Sequence, residues 1–90
     1  MKPSDYLKKY YPSPTAENRV RIYTLNRSVA KSGMSAVIRA YVIHDNRLWF
    51  ITEQRVRGCG LDRGHELAYN LFVMAYPDLR YQDCLEHHWI

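Results

Sequence analysis

Five side chains in this chain can act as nucleophile, base or metal ligand by type and spacing. Cys59 and His65 lie in RGCGLDRGHELAYNL (57–71), and Cys84, His87 and His88 lie in the closing DCLEHHWI. A thiol at the start of a helix is activated by the positive end of the dipole, and His65 is close enough in sequence to serve as its base. Asp62 opposes thiolate formation there, and no third orienting group stands out. The segment Cys84-x-x-His87-His88 supplies soft ligands at short spacing, and Cys59 with His65 would complete a tetrahedral zinc site if the tail folds back. What is missing is a second close pair beside Cys59.

The same stretch has a reading that needs no ligand. Gly58 and Gly60 let the chain leave a strand and turn sharply, as Gly33 does in KSGM, because glycine reaches backbone angles that cost other residues free energy. Asp62 stands at the cap position of the following helix and Glu66 in its first turn, where a carboxylate meets unpaired N–H groups. A phosphate cradle would use those N–H groups instead. Here no Lys-Ser or Lys-Thr follows, and Asp62 would repel the anion.

The elements that position these residues follow from periodicity. Ser4 or Asp5 caps a short helix over DYLKKYY, which Pro12 and Pro14 end. RVRIYTLNRS alternates with period two from Arg19, and SAVIRAYVIH and RLWFITE do the same after a turn at 31–34 and a tight Asp45-Asn46 hairpin turn. A helix over 62–75 carries Leu67, Leu71 and Met74 beside Ala68, Phe72 and Ala75, and Pro77 ends it. Residues 77–90 show no clear period, so a short helix or a packed tail both fit. The expected fold is α+β: a three-stranded antiparallel meander, one helix on a face, and a short N-terminal helix, in the order α-β-β-β-α. Residues 1–90 read as one domain, with an N-terminal segment (1–18), a core (19–76) and a tail (77–90).

Parity sorts the strands into two faces, and a single bulge would reverse the sorting beyond it. Val20, Ile22, Ile38, Ala40, Val42, Leu48 and Phe50 make the core face. Arg19, Arg21, Tyr23, Arg39, Tyr41, Arg47 and Trp49 make a basic, aromatic face, joined by Leu25, Val37, Ile43 and Ile51. Rings that stack on bases beside cations that follow phosphates are the means by which single-stranded nucleic acid is held. A protein partner or a second copy would use the same surface, and an apolar patch of that size calls for cover. The element order is also that of double-stranded-RNA-binding domains. Those carry lysines at the start of the last helix, where this chain has Asp62, Arg63, His65 and Glu66.

Taken together, RSVAKSGMSAVIRAYVIHDNRLWFIT and GCGLDRGHELAYNL resemble a group of small phage and prophage proteins, mostly of unassigned function. Arg27, Ser32, Gly33, Met34, Ser35, Gly58, Cys59, Gly60, Asp62, Gly64 and Tyr69 match the group's pattern over about residues 23–77. Ala36 stands where that group usually has arginine, Leu61 where it has methionine, and His65 where an aromatic is common. The resemblance implies an accessory protein that acts by occupying a surface.

Composition bounds the rest. Ninety residues with 47 % hydrophobic and 24 % charged content make one modest core, and no segment has the apolar length of a membrane span. A net charge of +4 favours anionic partners, and eight tyrosines favour a recognition surface. Two cysteines make no disulfide framework, and no signal-like apolar stretch opens the chain, so the expected compartment is the cytoplasm, a host's if phage-encoded. The expected activity is non-catalytic: binding and blocking a host machine, most concretely a bacterial defence system such as CRISPR–Cas. The partner would be a host protein or protein–nucleic-acid complex, without membrane and with a homodimer compatible. The alternatives are a basic nucleic-acid-binding protein and a zinc-stabilised module; apart from zinc no cofactor is expected.

Overall fold

The computed structural model describes residues 2–28, 35–57 and 62–90. Helix α1 (Pro3–Tyr10) leads into strands β1 (Val20–Ser28), β2 (Ser35–His44) and β3 (Arg47–Arg57). Helix α2 (Asp62–Ala75), a short helix α3 (Tyr81–Cys84) and strand β4 (Leu85–Trp89) follow. The fold is α+β, as expected, but the sheet has four strands in the order β3-β2-β1-β4. β1, β2 and β3 form the antiparallel meander, and β4 runs parallel to β1 on its free edge, pairing Val20 with Leu85 through Thr24 with Trp89. The expected three-stranded antiparallel sheet is therefore corrected to a mixed one.

The reason lies in the connection. β3 and β4 run in the same direction, so the chain between them has to cross the sheet, as parallel pairing always requires. α2 and α3 make that crossing and lay α2 over β1 and β2. Its buried stripe is Leu67, Ala68, Leu71, Phe72 and Ala75, with Phe72 and Ala68 fully enclosed. Met74, assigned to that stripe by its spacing from Leu67 and Leu71, lies at the stripe's outer edge and is exposed. The sheet answers with Val20, Ile22, Ile38, Ala40, Val42, Ile51 and Leu85.

The hairpin turn holds as expected. Asp45 and Asn46 have φ of 53° and 60°, the left-handed pair that a two-residue turn of matching twist demands and that these residue types tolerate. α1 starts earlier than expected, with Pro3 as its first residue. Asp5 reaches back to accept the Lys2 backbone N–H at 3.1 Å. Leu7 brings α1 into the core with no exposed surface.

Tyr76, just past α2, locks the two helices together. Its hydroxyl donates toward the Leu7 carbonyl at 3.1 Å, which also accepts the Tyr11 N–H at 2.8 Å, and toward the carbonyl of Tyr11 just past the end of α1. Burial pushes its phenol up to about 12, so it stays a donor at any ordinary pH. Tyr76→Phe should cost about 0.5–1.5 kcal/mol in a urea titration, the usual worth of one such bond. An unchanged midpoint would mean that water replaces the hydroxyl.

Candidate binding face

Helices α1 and α2 pack on one side of the sheet, and among the described residues no helix covers the other. Two features of β3 decide which residues reach that open face: the hairpin register pairs Ile43 with Leu48, Val42 with Trp49 and Tyr41 with Phe50, which sets residues 47–50, and one irregularity sets the face of Glu53, Arg55 and Arg57 beyond it. Ala40 pairs with Thr52 and Tyr41 with Phe50, so Ile51 is an extra residue in β3. A bulge of this kind puts two consecutive side chains on the same side and reverses parity beyond it. Ile51, placed on the basic face by simple alternation, is buried in the core. Leu48 and Phe50, placed in the core, are 50 % and 52 % exposed on the open face.

Trp49 and Arg47 move the other way, to the helix side. Trp49 pairs with Val42, stacks on Tyr10 of α1 with centroids 5.8 Å apart, and donates its indole N–H to the His44 carbonyl at 2.9 Å. It closes the end of the hairpin. Arg47 pairs with His44 beside that turn, with an exposed side chain. Arg19 stays at the border of the face, 3.7 Å from Glu86, and its guanidinium also donates to the carbonyls of Asp83 at 3.0 Å and Gln82 at 3.1 Å. Those carbonyls belong to the last turn of α3, where a cation is favoured.

Arg21, Tyr23, Arg39 and Tyr41 remain where alternation put them. In register, Tyr23 pairs with Tyr41, Tyr41 with Phe50, and Tyr23 with His88 on the outer strand. One row of rings, His88–Tyr23–Tyr41–Phe50, therefore crosses all four strands. His88 stacks on Tyr23 at 5.0 Å with planes 20° apart, and Tyr41 meets Phe50 edge-on at 5.8 Å. Arg21 lies on one side of the row, with its Nε 3.3 Å from Glu86. On the other side Arg39 sits 3.2 Å from Glu53, and exposed Arg55 and Arg57 follow along β3. Glu53, with help from the Tyr41 hydroxyl, holds Arg39 firmly protonated.

The histidine and cysteine candidates are separated by the strand that contains them. Alternation along β4 turns His88 to the open face and His87 to the helix side, while Cys84 is a buried free thiol at the end of α3. Among the described residues no group of three His, Cys, Asp or Glu side chains is placed to hold a metal ion. Gly33, Gly58, Cys59 and Gly60 lie outside the described residues; Asp62 is the first residue of α2.

His87 has a different role. Its Nε2 is 2.6 Å from the hydroxyl of Thr24, a fully buried group on β1, a hydrogen bond that neutral histidine makes in either tautomer. His65 of α2 and Trp89 of β4 flank its ring at 5.5 and 5.2 Å. Burial first, then the neighbouring His65 and His88, holds its pKa below the ordinary value. The unfolded chain thus binds this proton more readily than the folded one. The stabilisation is complete above the unfolded pKa of about 6.5 and is lost as pH falls toward the lower folded value. Urea midpoints should drop between pH 7.5 and 5.5, and His87→Gln should flatten that slope. A pH-independent midpoint for the parent chain would contradict this arrangement. Glu86, held below the ordinary carboxylate range mainly by its hydrogen bond from His88, adds a second loss at lower pH, through the carboxylate range.

Sequence reasoning missed Phe50, Leu48, Glu53, Glu86 and His88 as members of the face. The alternation Leu85, His87, Trp89 was a strand signal, five residues long and easily read as a tail. Comparison with protein-family models, with curated proteins and with solved structures found no match.

Proposed function

We propose that the chain is a small non-catalytic binding protein of the phage accessory kind, and that it works by seating a host machine on the open face of its sheet. The observation that carries this reading is the four-ring row across a sheet face that no described helix covers, with exposed Leu48 and Phe50 at one end and arginines along both sides. Large flat side chains with arginine are the residue types that dominate recognition energies, because they contribute contact area at low entropic cost. Their exposure has no packing benefit for the fold itself. The resemblance to small phage proteins points to a machine of the bacterial host, and a protein–nucleic-acid defence complex such as CRISPR–Cas is the most concrete candidate.

The test is co-elution of the purified protein with purified host effector complexes on size-exclusion chromatography. Co-elution should occur with one of them and be lost in Phe50→Glu, which alters only an exposed position. Co-elution with none, or a complex indifferent to Phe50→Glu, would overturn the reading.

A further inference from the structure

Resting on the reading that the open face is the working surface, we infer that its ligand is a single-stranded nucleic acid, with bases stacked along His88–Tyr23–Tyr41–Phe50 and phosphates beside the flanking arginines. Neighbouring strands lie about 4.8 Å apart, so a row across four of them spans roughly 14 Å, enough for two or three successive bases. Rings presented side by side by cross-strand register suit this ligand because every base has a π-face. A row of that kind needs no matching shape from its partner.

Charge points the same way. Among the described side chains the face carries Arg21, Arg39, Arg55 and Arg57 against Glu53 and Glu86. The pairs Arg21–Glu86 and Arg39–Glu53 are solvent-exposed, with arginine side chains 58 % and 39 % accessible, and exposed ion pairs of this kind hold their partners weakly. Each arginine can exchange a carboxylate for a phosphate without leaving the face. Arg55 and Arg57 extend the cationic side beyond the row, where a strand running past the rings would place its next phosphates.

A duplex cannot use this arrangement. Its bases are stacked on one another and present no free π-face, so the rings select for the single strand.

The experiment uses the full chain with fluorescein-labelled 12-mers of oligo(dT) and oligo(U), followed by fluorescence anisotropy at low and moderate salt. Saturable binding is expected at about 50 mM salt and should weaken at least tenfold by about 200 mM, as phosphate contacts release counterions. Phe50→Ala and Tyr41→Ala should each weaken binding roughly 5- to 150-fold, while Phe50→Tyr retains it. Arg39→Glu should weaken binding and flatten the salt dependence. Far-UV circular dichroism and the thermal midpoint confirm that each variant is folded. No binding at low salt, equal binding of Phe50→Ala and parent, or equal affinity for a 12-bp duplex would each overturn the inference. If oligonucleotides fail while a host complex still co-elutes in a Phe50-dependent way, the face takes a protein and only this inference falls; if co-elution fails too, the reading of the face falls with it.

Discussion

Phe72→Ala is expected to remove about 3–5 kcal/mol of stability, whereas Phe50→Ala should remove less than about 1 kcal/mol. These are the only two phenylalanines in the chain, so the contrast isolates position from chemistry. Phe72 is fully enclosed between α2 and the sheet, with the Tyr76 ring 5.2 Å away. Truncating it forfeits the transfer free energy of the ring and leaves a cavity that the crossing helix cannot close without shifting Leu71 and Ala75. Against the 5–15 kcal/mol typical of a domain, that loss is a large fraction of the total. Phe50 is 52 % exposed, and its ring rests only edge-on against Tyr41. Urea titration of the two variants checks this, and similar midpoints would mean that the open face is covered in solution. Binding should respond in the opposite order once temperature is low enough to keep Phe72→Ala folded.

Gly64→Val is expected to cost about 1–3 kcal/mol and to detach the outer strand from the sheet. A Cβ at this position would lie against two carbons of the Trp89 ring, one of them 2.7 Å away, and 2.8 Å from the Thr24 hydroxyl oxygen. The indole can swing outward, being 41 % exposed, but Thr24 is fully buried on β1 and cannot. Gly64→Ala meets the same contacts with one methyl and regains up to about 1 kcal/mol of helix propensity, so its net cost should be smaller. In a Trp89→Ala background that cost should shrink further, and a double-mutant cycle with no coupling between the two positions would contradict the geometry. Function should follow structure here. β4 carries Glu86 and His88 to the open face, so Gly64→Val should weaken binding at a position on the opposite side of the sheet.

Much of the fold was readable from local pattern. The two-residue turn at Asp45-Asn46, the three period-two strands and the span of α2 depend on neighbours within a few residues, and sequence displays those directly. The face was half readable for the same reason: Arg21, Tyr23, Arg39 and Tyr41 lie on regular strand. Beyond Ala40 the pairing partner matters. Nothing in the sequence RLWFITE marks Ile51 as the residue to be bulged, because the choice depends on which side of β3 finds a core to enter.

By itself the sequence determined the element types, the meander and a surplus of tyrosine and arginine on strand positions, because backbone preference and periodicity are short-range properties. Tertiary structure alone decided that Ile51 is the bulged residue, that Glu53, Arg55 and Arg57 therefore reach the open face, and that the tail forms a parallel fourth strand carrying His88 to the end of the ring row. It also decided that Arg19 holds α3 and that His87 and His88 face apart. Each of these depends on cross-strand register or on a crossover spanning the whole sheet, where the deciding contacts join residues far apart in the chain.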